Sequence, residues 1–307
     1  MSKIAFLFPG QGAQYIGMGM DFYNEFEEAK AIYEKASAVV GMDMAALCFE
    51  ENQQINITEY TQIAMITTEL AILECVKNAG IKADVTAGLS LGEYGALVCA
   101  GALSAEDCFA LVRKRGLFMQ EAYPVGGAMS AVLGMDAETI EKIVSETDGI
   151  VSVANYNCPG QIVITGEQSA VEAAGEKLKE AGAKRCLPLK VSGPFHSALL
   201  SGAGEKLAEE LKDVEIRKPA IPYATNVTAS YVTEADGVKE LLMRQVSSSV
   251  RWQQSIEMMI ADGVDTFIEI GPGKTLSGFM KKINKDAVVY NVEKVEDLAK
   301  LKEGLAC

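Results

Sequence analysis

A serine framed by glycines, the single histidine and an arginine stranded on an apolar stripe are the residues of this 307-residue chain whose types and spacing suit nucleophilic chemistry. Ser90 stands in Gly88-Leu89-Ser90-Leu91-Gly92, between the strand-like Asp84-Val85-Thr86-Ala87 and a helical stretch from Leu91 to Ala100. A serine at such a turn is forced into a strained backbone conformation, and glycines two positions to either side remove β-carbons that would collide there. Its hydroxyl is then presented to a carbonyl. The backbone N–H of Leu91, at the positive end of the helix, points to where an oxyanion would form.

A serine hydroxyl needs a base, and histidine titrates near neutrality. His196, in the loop sequence Gly193-Pro194-Phe195-His196-Ser197, is the candidate. A lone histidine is often only a structural or surface residue, and it is the serine turn upstream that favours the catalytic reading. No aspartate stands out as a third member, so the expected orienting acceptor is a backbone carbonyl or an amide.

The third residue is Arg115. Ser104-Ala105-Glu106-Asp107 reads as a capping box opening a helix that runs to about Ala122, along which Arg115 shares a face with Cys108, Leu111, Val112 and Met119. No acidic residue lies three or four positions away from it. A guanidinium stays charged wherever it is placed, so its burial demands a partner. Either a tertiary salt bridge meets it, or it grips a substrate carboxylate through two parallel hydrogen bonds.

Composition narrows the field. The chain is 49% hydrophobic, enough to bury a large core as one big domain or two moderate ones. A formal charge of −14 argues against a nucleic-acid partner. The seven cysteines form no C-x-x-C pair and suit no metal, so they read as buried small residues in a reducing compartment. The first apolar run, Ile4 to Phe8, is too short for a signal peptide, and nothing approaches a membrane span. A cytoplasmic protein is expected.

The elements that must position these residues follow from pattern. Ile4–Phe8 reads as a buried parallel strand before the loop Pro9-Gly10-Gln11-Gly12. Amphipathic helices are expected over Asp21–Val40 and Thr58–Ala79. From Ala128 to Val191 the order is β-α-β-β-α-β, a ferredoxin-like arrangement inserted between Pro124 and Ser192, that is over residues 125–191. Residues 1–124 and 192–307 then form the large unit. Its second part alternates helices at about Gly204–Leu211, Asp236–Val246 and Trp252–Ala261 with strands at Ile221–Asn226, Thr266–Ile270 and Val288–Val292. Such alternation implies a mostly parallel sheet covered on both faces.

Two loops imitate phosphate-binding motifs and fail. A dinucleotide fingerprint from Gly10 would need glycine where Tyr15 stands, and a P-loop ending at Gly273-Lys274-Thr275 would need it at Ile268. The first loop is better placed to bring a backbone N–H, that of Gln11, near the serine.

With these residues assembled, the chain resembles the malonyl-CoA:acyl carrier protein transacylases of type II fatty-acid synthesis, over nearly its full length. The matching motifs are Phe8-Pro9-Gly10-Gln11-Gly12, Gly88-Leu89-Ser90-Leu91-Gly92-Glu93-Tyr94, Arg115-Gly116 with Phe118-Met119-Gln120, Asn155 to Gln161, Pro194-Phe195-His196 and Glu269 to Gly273. The resemblance implies Ser90 as nucleophile, His196 as base, Arg115 as malonyl-carboxylate anchor and the amides of Gln11 and Leu91 as oxyanion hole. It makes Gln245 the residue whose carbonyl orients the histidine, and it implies an α/β-hydrolase-like core carrying the ferredoxin-like insert. Leu89 departs from the family, which usually has histidine there. Phe195 matches the malonyl type and not the methylmalonyl type.

Acyl exchange between malonyl-CoA and an acyl carrier protein, with no cofactor and no metal, is the function so implied, in fatty-acid or polyketide synthesis, by a chain expected to be a monomer. A serine hydrolase or thioesterase would use the same elbow and would differ in admitting water and in having no use for Arg115. A non-catalytic carrier-binding module would leave Ser90 unlabelled by serine-reactive probes. Lys281, Lys282 and Lys285, with Lys184 and Arg185, are the candidate basic patch for an acidic carrier.

Overall fold

The computed structural model describes residues 2–191 and 193–305. Ser192, the expected far boundary of the insert, and Cys307 lie outside them. The chain begins with β1 (Ile4–Phe8), α1 (Met20–Glu25), α2 (Glu27–Val40), α3 (Met44–Phe49) and α4 (Thr58–Asn78). It continues through β2 (Val85–Gly88), α5 (Gly92–Cys99) and α6 (Ala105–Ala122). Then come β3 (Gly127–Leu133), α7 (Ala137–Ser145), β4 (Val151–Cys158), β5 (Gln161–Glu167), α8 (Gln168–Glu180) and β6 (Arg185–Pro188). The last part holds α9 (Ser201–Leu211), β7 (Tyr223–Ala224), β8 (Tyr231–Val232), α10 (Val238–Gln245) and α11 (Trp252–Ala261), then β9 (Thr266–Ile270), α12 (Thr275–Ile283), β10 (Val288–Val292) and α13 (Val295–Leu305).

Two sheets organise these elements. The larger runs β10-β9-β1-β2-β7-β8, parallel throughout except for β8, which pairs antiparallel with β7. Strands covered on both faces are mostly apolar, as β1, β2 and β9 are, with Thr86, Thr266 and Glu269 as their buried polar exceptions. The smaller sheet runs β4-β5-β3-β6 with every pair antiparallel. It is stitched to the larger unit where Tyr156 N–H donates to the Val250 carbonyl at 2.9 Å and Val250 N–H to the Ala154 carbonyl at 2.8 Å.

Several expectations need correction. The helix expected over Asp21–Val40 is broken at Phe26, whose extended backbone (φ −124°, ψ 121°) ends α1 and starts α2. The Phe26 ring lies tilted, 5.8 Å from that of Phe22. Helix α4 is not amphipathic: sixteen of its 21 residues are buried, because α2 and α6 pack on it while the sheet lies beneath. The strand expected over Ile221–Asn226 pairs only at Tyr223–Ala224, and Thr225 and Asn226 leave the ladder for the site. Helices α3 and α13 and strand β8 were not anticipated, being short or carrying no strong period. Among the described residues no helix is long and apolar enough to cross a membrane.

Candidate active site

The parallel sheet delivers its loops to one edge, and the site is built there. Ser90 follows β2 and has φ 53°, a left-handed conformation unusual for a residue with a β-carbon. Close approach explains the flanking glycines: a β-carbon on Gly88 would run into the backbone of Gly92, and one on Gly92 into the carbonyl of Phe8. Asn226 holds the turn from beyond β7. Its Oδ1 accepts from Ser90 N–H at 2.6 Å and its Nδ2 donates to the Gly88 carbonyl at 2.7 Å.

His196 meets the serine from the loop after β6, 2.7 Å from Ser90 Oγ through Nε2, and itself has φ 61°. Its Nδ1 lies 2.8 Å from the Gln245 carbonyl oxygen. That oxygen only accepts, so Nδ1 carries the proton and Nε2 is left to take one from the hydroxyl. Burial, and then the charge of Arg115, push the imidazole down to about 4, so it is neutral at ordinary pH and its Nε2 is free to accept a proton.

Arg115 is 1% exposed and reaches the same hydroxyl, its Nη2 donating to Ser90 Oγ at 3.2 Å and to Gln245 Oε1 at 3.0 Å. Its Nη1 donates to Gln62 Oε1 at 2.7 Å, and Nε has no acceptor. The salt bridge weighed from the sequence is absent: among the described residues no carboxylate lies within ion-pair distance of Arg115. Burial lowers its affinity for its proton without neutralising it.

Gln11 is brought beside the elbow because Gly10 packs against the Leu89 carbonyl, where a β-carbon would stand 2.7 Å from the oxygen. Neither the N–H of Gln11 nor that of Leu91 donates to a described residue, so both are available to an oxyanion. A cavity of about 190 Å³ opens over Ser90, walled by Leu89, Met119, Phe195 and Phe279 and closed by Met129 and Val163 of the smaller sheet. Among the described residues no cluster of His, Cys, Asp or Glu is placed to hold a metal ion. The six sequence-predicted site residues, Gln11, Ser90, Leu91, Arg115, His196 and Gln245, thus converge on one cleft or its wall.

The chain matches the acyl transferase domain over residues 5–304. It belongs to the acyl transferase domain family. A malonyl CoA-acyl carrier protein transacylase of Bacillus subtilis is 51% identical over 290 residues, covering 93% of this chain and 92% of that one. The crystal structure of such a transacylase from Clostridium perfringens superposes with a TM-score of 0.96 at 49% identity, covering 99% of this chain and 98% of that one. A malonyl-transacylase solved in complex with a type II polyketide acyl-carrier protein superposes with a TM-score of 0.96 at 40% identity, covering 99% of this chain and 100% of that one.

Three further residues of this acyl transferase site were given no role by the sequence reading, Glu93 among them although it stands in a matching motif. Asn226 clamps the elbow, Gln62 joins Arg115 to the Gln11 loop (Nε2 to Gln11 Oε1, 3.4 Å), and Glu93 lies beneath Gln245 with 2.6 Å between its Oε2 and Gln245 Nε2. All three are buried to within 1%. The signal for two of them was the one that marked Arg115. Gln62 precedes the apolar run Ile63-Ala64-Met65-Ile66, and Glu93 is the only charge between Gly88 and Ala105.

Proposed function

We propose that this chain transfers a malonyl group from malonyl-CoA to the phosphopantetheine thiol of an acyl carrier protein through a malonyl ester of Ser90. The observation that carries this reading is the convergence on Ser90 Oγ of His196 Nε2 at 2.7 Å and Arg115 Nη2 at 3.2 Å. A nucleophile thereby shares its immediate surroundings with a base and with a buried cation suited to a carboxylate.

In the first half-reaction Ser90 Oγ forms a bond to the thioester carbon while its proton passes to His196 Nε2. The negative charge that develops on the carbonyl oxygen is met by the N–H groups of Gln11 and Leu91. The C–S bond breaks, and the proton on His196 goes to the departing CoA sulfur. In the second, the carrier's thiol gives its proton to His196 and attacks the ester, which returns Ser90 with its proton. Arg115, with an unspent Nε–H and two neutral glutamine partners, is the anchor for the malonyl carboxylate. Gln245 orients His196 through its carbonyl.

The order β4-β5-β3-β6 supports a ferredoxin-like insert over residues 125–191, and the elbow on a parallel sheet supports an α/β-hydrolase-like core over 1–124 and 192–307. Fatty-acid synthesis in the cytoplasm, by a monomer, is the setting we assign. The test is mass spectrometry after brief exposure to malonyl-CoA: one malonyl unit is expected on the wild type and none on Ser90→Ala. A mutant that still labels overturns the assignment.

A further inference from the structure

Glu93 is an ionisable group to which the reaction as described gives no role. It lies in the first turn of α5, three residues past the nucleophile, and is fully buried. Its Oε2 accepts from Gln245 Nε2 at 2.6 Å and from Asn226 N–H at 3.2 Å, while Oε1 has no partner. The opposite end of the same carboxamide, Gln245 Oε1, accepts from Arg115 Nη2 at 3.0 Å. One buried amide therefore bridges a carboxyl group and a guanidinium that do not touch.

We propose that Glu93 is the internal counter-anion of Arg115, relayed by Gln245, and that it governs how well the site separates carboxylated from uncarboxylated acyl groups. This rests on reading Arg115 as the carboxylate anchor. A malonyl group brings a second anion to one guanidinium, and both anions sit where water cannot screen them. The conflict is relieved when Glu93 takes up a proton. An acetyl group brings no charge and leaves Glu93 as it was. Glu93 is thus a positioning and specificity residue acting through Gln245 and Arg115, without contact with substrate.

The surroundings permit this exchange near neutral pH. Burial pushes Glu93 up to about 7, against the opposing pull of its hydrogen bonds from Gln245 and Asn226 and of the Arg115 charge. The other titratable groups facing this cluster are Tyr94 on α5 and Tyr223 on β7, both held protonated by burial, and His196, held neutral. Glu69 of α4, which packs against Gly95 of α5, is also raised by burial, and Glu93 is the carboxyl bonded to Gln245 and poised to change charge near neutral pH. Malonyl binding favours its protonated form, so affinity is greatest below the free-site value and falls as pH rises through it.

The measurement is calorimetric binding of malonyl-CoA and acetyl-CoA to Ser90→Ala protein, which cannot turn over, from pH 6 to 8.5. The ratio of malonyl to acetyl Kd is expected to rise about tenfold across this range, the change for a one-unit shift in Glu93 on binding. Acetyl-CoA controls for titration of the shared CoA phosphates. In Ser90→Ala/Glu93→Gln the ratio should be flat and equal at pH 8.5 to the parent's ratio at pH 6. A flat ratio in the parent overturns the proposal without any further variant, as does a pH slope that survives Glu93→Gln. Ser90→Ala/Arg115→Ala separates the two readings: if removing Arg115 leaves the malonyl preference intact, the anchor assignment itself has failed.

Discussion

Ser90 and His196 face each other across 2.7 Å with both backbones in the left-handed region, at φ 53° and 61°. Each such residue costs about 1–3 kcal/mol and persists only where its surroundings over-determine it. Here they do: Asn226 takes the Ser90 N–H, and the Gln245 carbonyl takes the His196 Nδ1–H. The 2.7 Å contact is therefore held against backbone strain on both sides by these surrounding hydrogen bonds.

His196→Ala should lower kcat by about 10²–10⁴, the usual effect of losing a positioned base. Near-normal transfer at neutral pH would remove His196 from the mechanism, since no second histidine exists to replace it.

The same residue makes the fold acid-sensitive. Its imidazole falls from an ordinary 6.5 to about 4 on burial, so the unfolded chain takes up the proton first as pH drops. The stabilisation is complete above about pH 6.5 and is lost as pH falls toward 4, amounting to about 3 kcal/mol. Urea unfolding at pH 7 and pH 4 should show wild type losing about that much more than His196→Asn. Equal losses would mean the histidine is not buried neutral.

On the proposed anchoring role, Arg115→Ala removes a charge-assisted, two-pronged contact worth about 2–5 kcal/mol. For malonyl-CoA this is a fall of about 30- to 5000-fold in kcat/KM, while acetyl-CoA should lose little or gain. Arg115→Lys should not restore the preference, because an ammonium lacks the planar fork. A parallel fall with both thioesters would reduce Arg115 to a structural residue.

Two of the candidate basic side chains, Lys282 and Lys184, lie near one another. Lys282 Nζ donates to Gln161 Oε1 at 3.0 Å, and the Lys184 side chain leans on Gly134, whose N–H bonds the carbonyl of Gly160 next to Gln161. Charge reversal at Lys281 and Lys282 should raise the KM for an acidic carrier protein steeply at low salt and leave that for malonyl-CoA nearly unchanged. Equal changes in both would indicate damage to the fold.

The parts of this site that advertise themselves do so by residue type against local pattern. Ser90 sits in a glycine frame, His196 is the only one of its kind, and Arg115 interrupts an apolar face. Asn226 gives no such sign: it is one more polar residue after a short strand, and its importance comes from ending up 136 positions away beside Ser90. The same limit explains α4, whose burial all round depends on what packs against it. Strands β1, β9 and β10 fell where expected because short apolar runs bounded by turns need no tertiary information.

The bonds that assemble the site close very long loops: 106 residues between Ser90 and His196, 136 to Asn226 and 155 to Gln245. Closure over such distances is entropically late, so local helices and the β4–β5 hairpin form long before the nucleophile has a base. During synthesis, Ser90 emerges well ahead of the histidine and further ahead of the carbonyl that fixes the histidine's tautomer. On the proposed mechanism the growing chain therefore carries an inert serine, and its esterification waits for the α10 segment to dock. Recovery of activity on refolding will lag recovery of helical signal, making catalysis itself a reporter of the last folding step.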